Sequence, residues 1–364
     1  MQHISRRKFL SGATAGGSGL LLRNQLWSQA PANGPNGGPR RLDLHHHYAS
    51  PRYKIKLAEA KRQGWETFEA YEPAKDIEAM DKADVATSFL SCSTPDLFTG
   101  DDFLLERSQI VALSRDMNEY AARMASDHKG RFGIFALLPL PDIDASLKEI
   151  EYVFDTLKAD GVGLLTSYGN HWLGETLFEP VFDELNRRNA VVYTHPTDAP
   201  CCRALGGANP GTLEWLTDTA RSILTMISEN PGVLGGRGAR TPSPATRYAN
   251  IKFIWSHAGG SLIGVATRVV GNISAEALSR PAEPNSHLYH VRRFYYDTAG
   301  SANELMLQAL KKLAGASQIV FGSDFPFGTI VNIVDGLRTC GFSPDELRGI
   351  DRENAVRILP KYKA

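Results

Sequence analysis

Cysteine is scarce in this chain of 364 residues: Cys92, Cys201, Cys202 and Cys340 are scattered without a C-x-x-C pair, which excludes a zinc knuckle. Cys201 and Cys202 are neighbours and poorly placed to bridge each other, so no structural disulfide is expected. Net charge is absent as well, because forty Lys plus Arg balance forty Asp plus Glu. Without a basic stripe beyond the N-terminus there is no field to draw in a polyanion, and a nucleic-acid partner is excluded. No apolar run is long enough to cross a bilayer about 30 Å thick, and no permanent membrane span is expected. Repeats of 20 to 50 residues and low-complexity tracts past the leader are lacking too.

What is present begins with "SRRKFLSGATAGGSGLLL", a twin-arginine pair (Arg6, Arg7) ahead of a short, glycine-rich apolar run. Gly12, Gly16, Gly17 and Gly19 would each weaken a helix by roughly 1 kcal/mol relative to Ala. The stretch resembles a bacterial twin-arginine export signal over residues 1–30, with "SQA" as its cleavage site. Residues 31–40 then read as a flexible leader, and the expected location is periplasmic. Proteins exported by that route cross the membrane folded, which suits a metal enzyme loaded in the cytoplasm.

From residue 41 to 364 short apolar runs alternate with helix-like segments. The strand candidates are residues 41–47, 85–91, 132–139, 161–167, 190–196, 251–257, 293–299 and 318–324. Strand then helix, eight times, predicts a (β/α)8 TIM barrel of the α/β class, with oversized connections at 48–84 and 196–250 after strands one and five. A doubly wound open sheet is the alternative, but it would place a glycine-rich phosphate loop after its first strand, and "RLDLHHHY" puts three histidines there.

Those histidines gain meaning from what ends the other strands. Strand one ends in His45, His46 and His47, strand five in His195, strand six in His257 and strand eight in Asp324. Side chains alternate along a strand, so His45 and His47 share a face and His46 points the other way. Neutral imidazoles with a carboxylate suit one divalent metal, whether zinc, manganese or iron, with a position open for water or substrate.

"DLHHHY", "YTHP", "WSHAGG" and "GSDFPF", in that order, resemble the ligand motifs of the amidohydrolase superfamily. The nearest branch is that of aminocarboxymuconate semialdehyde, γ-resorcylate and 6-methylsalicylate decarboxylases, and the likeness spans about residues 41 to 360, including the closing "RENAVRILP". The resemblance implies His45, His47, His195 and Asp324 as ligands of a metal, zinc ahead of manganese. It makes His257 the proton-handling residue beside the metal, with Asp324 as the second catalytic group, and gives His46 no role beyond packing under a helix. Strand four ends "LLTSYGN" without the Lys or Glu that a two-metal hydrolase of the superfamily needs, so one metal is expected.

Arg268, eleven positions after His257, matches an arginine of the semialdehyde decarboxylase that reaches a neighbouring subunit's site and holds a substrate carboxylate. It implies a homodimer; a surface ion pair is the other reading. Tyr168 and Phe325 are further candidates for substrate contact. The expected function is metal-dependent, non-oxidative decarboxylation of a small aromatic, 2-hydroxybenzoate-like, or dienoic carboxylic acid. A mononuclear hydrolase such as a lactonase is the second reading, and an exported metal-binding protein the third.

Overall fold

The computed structural model describes residues 40–60, 65–93, 105–197, 210–229 and 242–363. The leader with its twin arginines, and Cys201 and Cys202, lie outside the described residues. Cys92 and Cys340 are buried free thiols.

Eight parallel strands form one sheet in chain order: β1 (Arg41–His47), β2 (Val85–Ser91), β3 (Phe132–Leu137), β4 (Gly161–Leu165), β5 (Val191–His195), β6 (Lys252–Trp255), β7 (Tyr295–Asp297) and β8 (Ile319–Val320). The ring closes where residues following β8 meet β1. Leu44 N–H donates to Phe321 O at 2.9 Å, Asp324 N–H to His45 O at 2.9 Å and His47 N–H to Phe325 O at 2.8 Å. This is the expected (β/α)8 barrel. β1 and β2 run as read from the sequence, whereas the last six strands are shorter, because their final residues leave the sheet to turn toward the barrel mouth.

The first oversized connection folds into α1 (Pro51–Ala60), α2 (Trp65–Glu69) and α3 (Pro73–Lys82). α4 (Arg107–Asp127), α5 (Ile143–Asp155) and α6 (Glu179–Arg187) follow β2, β3 and β4. The second oversized connection contains α7 (Pro210–Ile227) and α8 (Pro244–Arg247). None of the described helices is long and apolar enough to cross a membrane.

Apolar alternation fills the floor of the barrel. Tyr193 of β5 stacks on Phe135 of β3 with centroids 5.6 Å apart, Phe135 stacks on Phe89 of β2 at 5.1 Å, and Phe89 meets Tyr362 of the C-terminal turn at 4.9 Å. The Tyr362 hydroxyl donates to Asp160 Oδ2 at 3.0 Å, pinning the chain end under this column. Burial of such rings is the main source of cohesion here, at about 25 cal/mol per Å² of apolar surface.

The segment after β6 departs from expectation. In place of a helix starting at the strand end, His257, Ala258, Gly259 and Gly260 all have positive φ (52°, 57°, 79° and 61°), then 3-10 turns lead into α9 (Ala266–Val270). Two glycines in "HAGG" make this run feasible, since residues with a Cβ are costly in left-handed conformation. Gly260 also lets the chain press on α7: a Cβ there would sit 2.1 Å from Leu216 O. Gly260→Ala is therefore expected to destabilise the protein by about 2 kcal/mol or more. Gly264→Ala, whose Cβ would meet nothing within 4 Å, should leave the thermal midpoint nearly unchanged. Equal midpoints for both variants in calorimetry would refute the packing argument.

Candidate metal centre

β1 supplies two donors and turns a third imidazole away. The β1–β2 register shifts between Asp43 and His46, and Asp43 Oδ1 accepts from His45 N–H at 3.2 Å across that irregularity. Beyond it His45 and His47 converge, their Nε2 atoms 2.9 Å apart. Asp324 Oδ1 lies 3.2 Å from each of those nitrogens. His195 at the end of β5 completes the group: one donor atom from each of His45, His47, His195 and Asp324 lies within 4.8 Å of the others.

Each imidazole presents Nε2 because its Nδ1–H is already committed. His45 Nδ1 donates to Asp297 Oδ2 at 2.8 Å, His47 Nδ1 to Ser91 O at 3.3 Å and His195 Nδ1 to Pro196 O at 2.8 Å. Such outer partners fix tautomer and ring orientation for a ligating histidine. Gly322 permits the closest of these approaches, since a Cβ there would stand 2.7 Å from His45 Cβ and 2.8 Å from Asp297 Cβ.

The electrostatics also fit a cation. Burial alone would lower the His45 pKa, but the carboxylates of Asp297 and Asp324 more than reverse it and raise it to about 10. Burial lowers His47 to about 4 and drives His195 well below its ordinary range. Burial would raise Asp324, yet the facing His45 holds its pKa well below the usual carboxylate range. Two carboxylates, Asp297 and Asp324, beside three buried imidazoles make a site suited to a cation. Asp324 Oδ1 is buried against the Nε2 atoms of His45 and His47, which as acceptors give it no hydrogen bond. The donor set, its geometry and the unmet oxygen together fit one divalent ion.

His257 stands beside the cluster, its ring centroid 4.9 Å from that of His45 and 5.6 Å from that of His195. Its Nδ1 donates to Ala299 O at 3.0 Å, and its Nε2 is buried with no hydrogen-bond partner among the described residues. Asp297 Oδ1 accepts from the His257 N–H at 2.9 Å and the Ala299 N–H at 3.0 Å. One carboxylate thus holds both a ligand and the neighbouring histidine. From the sequence Asp297 is only a weak pocket candidate at the end of strand seven, because its partners are 252 and 40 residues away.

The remaining candidates fall elsewhere. His46 lies under α3, its Nδ1 3.1 Å from Asp43 Oδ2 and its Nε2 3.4 Å from Asp76 Oδ1. Phe325 stacks on His46, centroids 5.0 Å apart, on the side turned from the donors. Phe327, two residues on and 39% exposed, is the ring that meets His47, at 5.9 Å. Tyr168 is buried and its hydroxyl accepts the Leu165 N–H at 3.0 Å. Trp215 of α7 lies 6.4 Å from His195, ring to ring, and Ser93 Oγ lies 3.4 Å from His195 Nε2; neither was marked by the sequence. Arg268 is exposed on α9, with no hydrogen bond or ion pair to the other described residues. The run from His257 to α9 is not one helix, so the rise of 1.5 Å per residue that a helix would give does not apply to its distance from the site.

Replacing His47 by Ala should abolish metal retention, whereas His46→Ala should keep one metal per chain despite lower stability. Asp297→Asn should weaken metal affinity by about 10- to 100-fold, the usual scale for an outer-sphere partner of a ligating histidine. Elemental analysis after dialysis against a graded chelator measures all three, and equal loss from His46→Ala and His47→Ala would refute the assignment of faces.

Comparison with known proteins places this geometry in a family. An amidohydrolase family model matches residues 42–361. The decarboxylase yanB of Aspergillus niger is 32% identical over 343 residues, covering 89% of this chain and 88% of its own. The 6-methylsalicylic acid decarboxylase of Penicillium expansum is 30% identical over 332 residues, covering 89% of this chain and 97% of its own. Among solved structures, a dihydroxybenzoic acid decarboxylase from Polaromonas with bound manganese and the inhibitor 2-nitroresorcinol has a TM-score of 0.71 at 19% identity, over 89% of this chain and 98% of that one. At that identity the likeness speaks for the fold alone. The family match begins at the second residue of β1 and ends in the closing turn, so it takes in barrel and donor cluster together, and this chain belongs to the amidohydrolase family.

Proposed function

We propose that this protein is a metal-dependent, non-oxidative decarboxylase of a small aromatic carboxylic acid of the 2-hydroxybenzoate type. The observation that carries the reading is the unpaired, buried Nε2 of His257 beside a cluster of three imidazoles and one carboxylate. The similarity to two decarboxylases over nearly nine-tenths of the chain supports it.

Decarboxylation breaks the bond between ring carbon and carboxyl carbon, leaves the electron pair on the ring carbon and requires a proton there. A divalent ion held by His45, His47, His195 and Asp324 would supply positive charge to fix and polarise the acid's carboxylate and adjacent hydroxyl. His257, anchored through its backbone N–H and its Nδ1, has only Nε2 free to carry a proton to the reacting carbon. Asp324, the carboxylate at the same point, is the second acid–base group. Phe327 beside His47 and Trp215 beside His195 offer aromatic surface for a flat ring. The ion is zinc, with manganese the alternative, since a His and Asp set accepts both. Export by the twin-arginine route completes the reading, on the strength of Arg6 and Arg7.

Activity toward 2-hydroxybenzoates should release carbon dioxide without consuming alkali. Hydrolysis of lactones with alkali uptake and no carbon dioxide would replace the decarboxylase by the hydrolase reading. His257→Asn, which keeps a donor toward Ala299 O, should retain metal and lose turnover by about 100-fold or more. A variant with an unchanged rate would return His257 to a structural role.

The working unit is a homodimer in which Arg268 serves the acid bound in the neighbouring site. Its exposure on α9 and lack of a partner among the described residues support this. Arg268→Ala is expected to raise KM for acids without loss of metal. Mixed with His257→Asn, it should regain activity, because each hybrid holds one site with both groups intact. A mixture no more active than its two components, once subunit exchange is verified, would overturn the shared site.

A further inference from the structure

The end of β2 and the segment that follows it bring two serines, Ser91 and Ser93, against the donor cluster. Ser91 Oγ donates to His46 O at 3.2 Å while Ser91 O receives the His47 Nδ1–H, so this residue is fully used in holding β1. Two residues on, just past the end of β2, Ser93 is 1% exposed with its Oγ 3.4 Å from His195 Nε2. Its backbone is tied in place by the first oversized connection: the Tyr53 hydroxyl of α1 donates to Ser93 O at 3.5 Å, and Cys92 Sγ approaches the same oxygen at 3.7 Å.

The partner of Ser93 is the telling feature. His195 Nδ1 faces a carbonyl oxygen and must carry the hydrogen, so Nε2 is the acceptor and Ser93 Oγ the donor. That Nε2 is also the atom His195 turns to the cluster. An imidazole nitrogen has one in-plane lone pair, and a metal ion and a hydroxyl cannot both use it. When the ion is bound, the Ser93 hydroxyl loses its acceptor while still buried, and an unmet buried donor is unfavourable. An oxygen of an incoming acid is the natural replacement. The serine does not orient His195, because Pro196 O already does so through Nδ1.

We infer that Ser93 is a substrate-positioning residue, whose hydroxyl donates to an oxygen of the carboxylate and hydroxyl pair of the bound acid once the metal has claimed His195 Nε2. The inference rests on the function proposed above. It adds a donor from the segment after β2, which supplies neither a metal ligand nor His257.

The test is binding, measured without turnover. Zinc-loaded wild-type protein, Ser93→Ala and Ser93→Thr are titrated with 2-hydroxybenzoate by calorimetry, and metal content and the thermal midpoint of each metal-free form are recorded. Ser93→Ala is expected to keep one metal per chain and to lower the metal-free midpoint by no more than about 2 to 4 °C, the scale of one lost hydrogen bond, yet to bind the acid about 10-fold or more weakly, the scale of one hydrogen bond to a charged group. Ser93→Thr should restore binding. Equal affinities for wild type and Ser93→Ala would overturn the inference and leave the decarboxylase reading standing, as would loss of metal from Ser93→Ala, which would make the serine a support for His195. A wild-type protein that binds metal but not 2-hydroxybenzoate would overturn the proposed substrate class and this inference with it.

Discussion

The Asp297 carboxylate is the constraint on which the upper half of the barrel depends. One oxygen takes the His45 Nδ1–H, and the other takes two backbone N–H groups, those of His257 and Ala299. The first bond decides which nitrogen His45 offers to a metal. The second and third hold the start of the left-handed run that carries His257, and with it the direction of the free Nε2. Three bonds satisfy the buried carboxylate, as burying a charge demands. They also couple ligand and proton carrier mechanically, so a displacement of one is felt by the other.

The opposite end of the barrel has a different task. His257, Ala258 and Asp324 all adopt positive φ, a conformation that costs on the order of 1 to 3 kcal/mol for a residue with a Cβ. Such strain persists only where the surrounding packing dictates it. The aromatic column from Tyr193 through Phe135 and Phe89 to Tyr362 provides a rigid floor directly beneath His45, whose ring meets Tyr193 at 5.2 Å. Division of labour between a cohesive lower end and a polar, strained upper end is the general logic of this architecture.

How much of this was legible in the sequence follows from the range of each interaction. The alternation of His45, His46 and His47 is local, a property of three consecutive residues, and it holds even though the strand is irregular just before them. The eight strands and the barrel were readable because apolar periodicity is also local. The left-handed path through "HAGG" was not foreseen, though its two glycines were the available signal. Ser93 went unread, and Asp297 was no more than a weak pocket candidate, for a deeper reason. Each acts on a histidine from another strand, and in one dimension an aspartate in "YYDTAG" or a serine in "SCS" resembles any other. The aromatic next to the metal aspartate illustrates the same limit: Phe325 and Phe327 are separated by one proline, yet only the fold decides that one backs His46 and the other meets His47.

His46 shows that the residue turned away from the donors still shapes them. It is fully buried between Asp43 and Asp76, and the two carboxylates overcome the effect of burial to raise its pKa to about 9. Asp43 also accepts from the Ser323 N–H at 3.0 Å and the Ser323 hydroxyl at 2.6 Å. Ser323 precedes the ligand Asp324, and Asp76 belongs to α3 in the first oversized connection. A charged network behind β1 therefore links lid, first strand and the turn after β8. Truncating His46 would leave two carboxylates facing each other in a dry interior, which is costlier than losing the interactions themselves. The third histidine of the triplet is thus best understood as a stabilising partner for Asp43 and Asp76 that ties α3 and the turn before Asp324 to the back of β1.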